Sequence, residues 1–241
     1  GYHLCSDTQC QVYKNPQIAG FNVKKAIKQT SNKILTWEGQ PINAVYHATN
    51  GGVIASINEA WTINSLPYSL SKLDGSSDWT RKFKLPLSTN HSIKKFLLSK
   101  QGAYGKNHYL FRWERTLTDK QLQNQLIAFT KNTSIDLPET IKVLERGRSG
   151  RVLALEIIGQ RNGSSIVLKR DAIRKAIRNL PSTLFVVNQK AKGIWDFWGG
   201  GFGHGAGLSQ AGAIDLAKKG WSTEQILKHY YPGTKYGILQ F

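Results

Sequence analysis

The 241-residue chain has no methionine and only two cysteines, Cys5 and Cys10. Acidic side chains are also few: 15 Asp and Glu stand against 33 Lys and Arg, a formal charge of +18. No apolar run nears the ~20 residues that a membrane-spanning helix needs. The opening residues show no secretory leader, and without a methionine Gly1 is not a translation start. The sequence is therefore expected to be a processed or trimmed product. The charge excess attracts polyanions: nucleic acid, an anionic membrane surface or an acidic cell-wall polymer. The modules of nucleic-acid readers are missing. There is no aromatic RNP run, no zinc-finger spacing and no basic helix leading into heptads, so no specific nucleic-acid partner is expected. Two cysteines leave three readings. They form a disulfide in an oxidising compartment, or part of a zinc site with His3 at a spacing that gives three of four ligands, or they stay free thiols.

What the chain has is glycine in one place. Gly199-Gly200-Gly201-Phe202-Gly203-His204-Gly205-Ala206-Gly207 runs into Leu208-Ser209-Gln210-Ala211-Gly212-Ala213. Glycine tolerates positive φ and lets another chain or a ligand come close. Loops held by rigid elements commonly carry binding and catalysis. Neither phosphate-cradling spacing, GxGxxG with its acid or GxxxxGK[ST], is present. The competing reading is a structural loop with His204 bonded to backbone.

Hydrophobic residues make up 40% of the chain, enough for a globular core. Cys10–Tyr13 reads as a short strand and Asn22–Thr30 as a short helix. Lys33–Trp37 and Pro41–Ala48 read as a strand pair around Glu38-Gly39-Gln40, with Asn50-Gly51-Gly52 as a turn. Asn58 to Tyr68 reads as irregular and Asp74 to Trp79 as a polar loop. A helix is expected over Leu117–Lys131, capped at Thr118. Ile141–Arg146 and Val152–Ile158 form a hairpin around Gly147–Gly150, followed by a strand at Ser164–Leu168 and a basic helix at Lys169–Ile177. Strands follow at Thr183–Asn188 and Gly193–Trp198, then a helix from Ala211 to about Lys218 and a last one opening at Ser222. Strands and helices alternate without a regular period. This predicts an α+β fold, one mixed domain over residues 1–241 with the glycine-rich loop leading into a C-terminal helix.

These residues resemble the SpoIID/LytB family, the stage II sporulation protein D and amidase-enhancer group. The specific motifs are Gly203–Ala213 and Ile226-Leu227-Lys228-His229-Tyr230-Tyr231-Pro232-Gly233-Thr234. Weaker ones are Gly150-Arg151-Val152, Cys10–Tyr13 and Tyr46–Gly52 with Glu59-Ala60-Trp61 and Pro67-Tyr68. The resemblance implies an extracytoplasmic protein acting on peptidoglycan. Its partners would be glycan strands and anionic wall polymer, with an amidase or an N-terminal fragment besides. Better-known members are lytic transglycosylases with a single catalytic Glu on a helix of the form E-A-L-K-A-Q-A-V-A-A-R-T-Y. That helix is not in this sequence, so the general acid is expected upstream of Gly1. The runner-up is a noncatalytic wall-binding, amidase-enhancing module.

Glycosidic cleavage needs a carboxylic acid held protonated, and hydrolases add a second carboxylate. A transglycosylase works with one acid, because the sugar's own 6-hydroxyl attacks. Tyr46, His47, Asn50, His204, Ser209, Gln210 and Tyr231 are suitable types for holding a glycan. Glu59 is the best carboxylate within the chain, against the reading of a loop acid paired with a nearby base. No metal and no cofactor are expected. Where the family often has a His before the second Cys, this chain has Gln9, so the resemblance favours a Cys5–Cys10 disulfide. Thiol labelling is expected to reach both cysteines only after reduction. A metal held between the two sulfurs would overturn that.

Overall fold

The computed structural model describes residues 15–161 and 164–238. Cys5, Cys10 and the Cys10–Tyr13 strand lie outside the described residues. The described residues fall into two compact units, 15–42 with 235–238 and 43–234. Short helices and short strands are interleaved in an α+β arrangement.

The smaller unit holds helix α1 (Phe21–Gln29) and strands β1 (Lys33–Trp37) and β2 (Gln40–Pro41). A last strand, Lys235–Ile238, pairs antiparallel with β1, which lies at the centre of a three-stranded sheet. The turn before β2 uses Glu38 and Gly39, both at positive φ. The expected strand Pro41–Ala48 does not form. The β1–β2 pairing ends at Pro41, and the chain bends where the Val45 N–H bonds the Asn43 carbonyl. Tyr46–His47 then joins a different sheet. Alternation in sequence cannot reveal that its partner strand comes from residue 208.

The larger unit begins with β3 (Tyr46–His47), β4 (Val53–Ile54), α2 (Ile57–Ala60), β5 (Lys72–Leu73), α3 (Ser77–Lys82) and α4 (Asn90–Leu97). Next come β6 (Trp113–Thr118), α5 (Asp119–Thr130), β7 (Pro138–Arg146), β8 (Val152–Gly159), β9 (Ser165–Lys169) and α6 (Ala172–Ala176). It closes with β10 (Phe185–Ala191), β11 (Ile194–Gly199), β12 (Leu208–Ser209), α7 (Gln210–Lys218) and α8 (Thr223–Tyr230). Two antiparallel three-stranded sheets form the frame, β10-β11-β6 and β7-β8-β9, and β12 pairs parallel with β3.

Local chemistry explains the clearer elements. Thr118 accepts from the Gln121 N–H, and the Gln121 side chain returns to the Thr118 N–H, a reciprocal cap that starts α5. Leu122 and Leu126, four apart, then face the core. Ser222 and Gln225 repeat the device at α8.

The core has two parts. One joins Trp113, Leu122, Leu126, Leu155, Ile173 and Phe197. The other joins Trp79, Phe83, Ile93, Phe96 and Phe111. β10 borders both: Phe185 enters the first, while Val186, with Leu184 just before the strand, enters the second. This is the two-residue period of a strand buried on both faces.

The segment read as a polar loop at Asp74–Trp79 instead starts α3. Trp79 is fully buried, with ring centroids 4.7 Å from Phe83 and 5.1 Å from Phe96. Its indole N–H donates to the Gly52 carbonyl at 2.9 Å, which ties the Gly51–Gly52 turn to this core. Trp79→Phe keeps an aromatic ring and removes that donor. It is expected to destabilise the protein by about 1–3 kcal/mol, read from urea denaturation.

Candidate functional site

Two segments far apart in sequence make the first wall of the site. β12 lies beside β3, pairing Leu208 with Tyr46 and Ser209 with His47. Thr49 bridges Phe202, and the Ala55 N–H bonds the Gly205 carbonyl. The glycine-rich loop thus lies against the Tyr46–Gly52 segment.

One residue, Ala206, clamps both imidazoles. The Ala206 carbonyl lies 3.0 Å from His47 Nδ1, so that nitrogen carries the proton and donates. The Ala206 N–H donates to His204 Nδ1 at 3.2 Å, while His204 Nε2 donates to the Tyr46 carbonyl at 2.9 Å. Both nitrogens of His204 are therefore engaged in its neutral form, and its ring lies 4.7 Å from that of half-buried Trp61. His47 keeps a buried Nε2 with no partner. Burial lowers the pKa of both rings. For His47 the nearby His204 and Arg151 deepen the effect. For His204, lowered to about 4, the Tyr46 carbonyl opposes it.

The second wall is the β7–β8 hairpin. Its turn, Gly147-Arg148-Ser149-Gly150, delivers Arg151, which is 0% exposed. Arg151 Nη2 donates to the Asn50 carbonyl at 3.1 Å, while Nε and Nη1 have no partner. Burial lowers its pKa to about 10, partly offset by the Glu59 carboxylate. Glu59, on α2 and 5% exposed, accepts from the Ser149 N–H at 3.0 Å through Oε1, and its Oε2 has no partner. Ser149 Oγ is likewise buried without one. All five buried side-chain atoms lacking a partner among the described residues therefore belong to His47, Glu59, Ser149 and Arg151. Buried polar groups left unpaired are costly, so such a concentration in one place marks a site built to meet something. Glu59 also lines a cavity of about 660 Å³ between α2 and the hairpin turn.

Behind these walls lies a saturated network. Fully buried Asp74 accepts from Asn50 Nδ2 at 2.6 Å, from His229 Nε2 at 2.8 Å and from the Tyr230 hydroxyl at 3.1 Å. Burial and the Asp74 charge push the Tyr230 phenol far above its ordinary pKa.

The candidate residues therefore divide. Asn50, Ser209 and Tyr231 are buried and bonded within the protein. Asn50 bonds Asp74, Ser209 Oγ accepts from the Gly212 N–H at the start of α7, and the Tyr231 hydroxyl donates to the Val45 carbonyl at 2.7 Å. Tyr46 and Gln210 are exposed and His204 is partly so. Glu59 is no surface loop acid but a buried carboxylate on a helix. The reading of motif residues missed Ser149 and Asp74, and it gave the hairpin arginines no role in the site. The signal available was the alternation of arginine with small residues in Arg146-Gly147-Arg148-Ser149-Gly150-Arg151.

The two histidines give stability a definite pH dependence. Their ordinary pKa is 6.5, and both are lowered on folding, His204 to about 4. From 6.5 downward the unfolded chain binds protons that the folded chain refuses, so stability is full above that pH and falls through the window toward 4. Urea midpoints measured across this range are expected to drop as pH falls, with a shallower slope in His204→Gln.

A family model described as a domain of unknown function (DUF8618) matches residues 55–207, a span that includes Glu59, the hairpin and the glycine loop. The chain is 28% identical over 236 residues to the Amidase enhancer of Bacillus subtilis (strain 168), covering 88% of this chain and 32% of that protein. It is 29% identical over 242 residues to Stage II sporulation protein D of Bacillus amyloliquefaciens, covering 95% and 58%. To Stage II sporulation protein D of Bacillus subtilis (strain 168) it is 26% identical over 213 residues, covering 88% and 50%. The chain thus spans between 32% and 58% of the length of these relatives. On this match the chain belongs to the DUF8618 family, and its relatives and motifs support its place in the SpoIID/LytB family.

Proposed function

We propose that this chain works outside the cytoplasm on the bacterial cell wall, where it binds peptidoglycan glycan strands as an amidase-enhancing module. The observation that carries this reading is the concentration of unfilled hydrogen-bonding atoms on His47, Glu59, Ser149 and Arg151, with Glu59 opening onto a cavity. A glycan supplies many hydroxyl and amide groups, which donate and accept in the same small volume. The names of the relatives, Amidase enhancer and Stage II sporulation protein D, support a role in wall remodelling. The +18 charge supports retention on anionic wall polymer. An amidase is the partner such a module would serve.

A second reading is lytic transglycosylase cleavage, favoured by one observation. Glu59 lines a cavity within the range of ligand sites, and its buried Oε2 has no partner among the described residues. Against its use as a general acid stand the Arg151 guanidinium, whose charge interacts with it, and the Ser149 N–H bond. Both favour the carboxylate over the acid.

Incubating the 241-residue chain with purified sacculi separates the readings. Salt-sensitive pull-down without 1,6-anhydro products is expected, because exposed charges are screened at high ionic strength. Robust anhydro products that vanish in Glu59→Gln would make Glu59 the acid and the chain an enzyme. A single positioned acid contributes about 10²–10⁴-fold, so that loss is easily measured.

A further inference from the structure

The cavity between α2 and the hairpin turn is lined by charged side chains that form no ion pair among the described residues. Arg146, Arg148 and Arg170 line it together with the carboxylates of Glu59 and Glu145. None of the ion pairs among the described residues involves these three arginines or either glutamate. Arg146 is fixed by bonds from Nη1 to the Gly150 carbonyl at 2.9 Å and from Nη2 to Asn90 Oδ1 at 2.7 Å. Burial lowers its pKa to about 10. Arg170, at φ 49, is fixed by a 2.9 Å bond from Nε to the Asn58 carbonyl. That leaves the far edge of its guanidinium without a hydrogen bond among the described residues. Arg148 is exposed and makes no side-chain hydrogen bond among the described residues.

Two anchored guanidiniums and one free one at a single cavity make a receptor for an oxyanion, since planar Arg groups match carboxylate and phosphate in pairs of bonds. The same cavity asks for a donor as well. Glu59 is 5% exposed, lines the cavity and keeps an oxygen that only an incoming O–H or N–H can satisfy. The Gly147 backbone packs directly against the Glu59 carboxylate on its Oε1 side, where a side chain would displace it. A ligand that presents an oxyanion and a hydroxyl or amide donor within one sugar-sized volume meets both demands. A neutral sugar meets only the second, and inorganic phosphate only the first.

We propose that this cavity binds an acidic sugar or polyol unit of a wall polymer, with Arg146, Arg148 and Arg170 receiving its oxyanion and Glu59 accepting a neighbouring hydroxyl or amide proton. The inference rests on the wall-binding reading and deepens it by naming the charged unit and where it binds. A carboxylate on a glycan strand and a phosphodiester on a wall polymer share this chemistry.

Calorimetric titration of the full chain tests it with four probes: peptide-free peptidoglycan strands, the same strands with carboxyls reduced to alcohols, glycerol phosphate oligomers and the N-acetylglucosamine tetramer. The strands, or the glycerol phosphate oligomers, are expected to bind at least about tenfold more tightly than the reduced strands and the tetramer, as for loss of a charged hydrogen bond. Preference between those two anionic probes identifies the source. Arg148→Gln, at an exposed side chain that no internal bond depends on, is expected to remove about that factor. Lys120→Gln, an equal charge loss on α5, is expected to change affinity by less than about twofold, within the range of an exposed pair. Equal binding of native and reduced strands, unmoved by Arg148→Gln, overturns the anion site and leaves the wall-binding reading standing. Equal losses in Arg148→Gln and Lys120→Gln also overturn it, since the overall field then does the work. No binding of any saccharide probe overturns the wall-binding reading itself, and glycerol phosphate binding in that case keeps the anion site alone.

Discussion

An arginine with no exposure to solvent is the constraint around which the larger unit is arranged. Among the described residues the Arg151 guanidinium makes one hydrogen bond, to the Asn50 carbonyl, and its charge is countered by Glu59. Leaving a buried ion without its partner costs about 3–5 kcal/mol, so α2, the hairpin and the Tyr46–Gly52 segment are committed to one another. The glycine loop meets the same demand from the far side. Gly205 stands at φ 81, and the guanidinium fills the space that a side chain there would need. At this position glycine is required by close approach and by conformation together.

This arrangement gives the motif residues a different meaning from the one their chemistry first suggests. Ser209, Asn50, Tyr231 and both nitrogens of His204 spend their hydrogen-bonding capacity inside the protein. They hold the framework in register. The capacity that remains unspent belongs to His47, Glu59, Ser149 and Arg151. Specific motif and reactive surface are thus neighbours but not the same residues. Ala206 joins them, since its single residue fixes the tautomers of both His47 and His204.

What could be read from residues alone follows the range of the interaction concerned. α5 was legible because its cap and its apolar spacing lie within one segment, Thr118 to Thr130. The β7–β8 hairpin was legible for the same reason. α4 went unread although Thr89 caps it and Ile93, Phe96 and Leu97 share its buried face. α3 was hidden because the residues flanking Trp79 are polar, and its packing against Phe96 exists only in space. The strand Lys235–Ile238 and the β3–β12 pair depend on partners more than 150 residues away, which no local pattern carries. The site was half legible. Its glycine loop and Glu59 stood out as residues, whereas Arg151 and Ser149 acquire their meaning only by being buried beside them.

The position of β10 between two aromatic clusters has a consequence for how the larger unit comes apart. Phe185 belongs to one cluster, and its neighbours Leu184 and Val186 belong to the other. Melting either cluster strips one face from the same short strand and exposes residues packed on both sides of it. Partial opening therefore gains little chain freedom for the apolar surface it wets, and the two clusters share a single cooperative transition rather than forming separately unfolding modules.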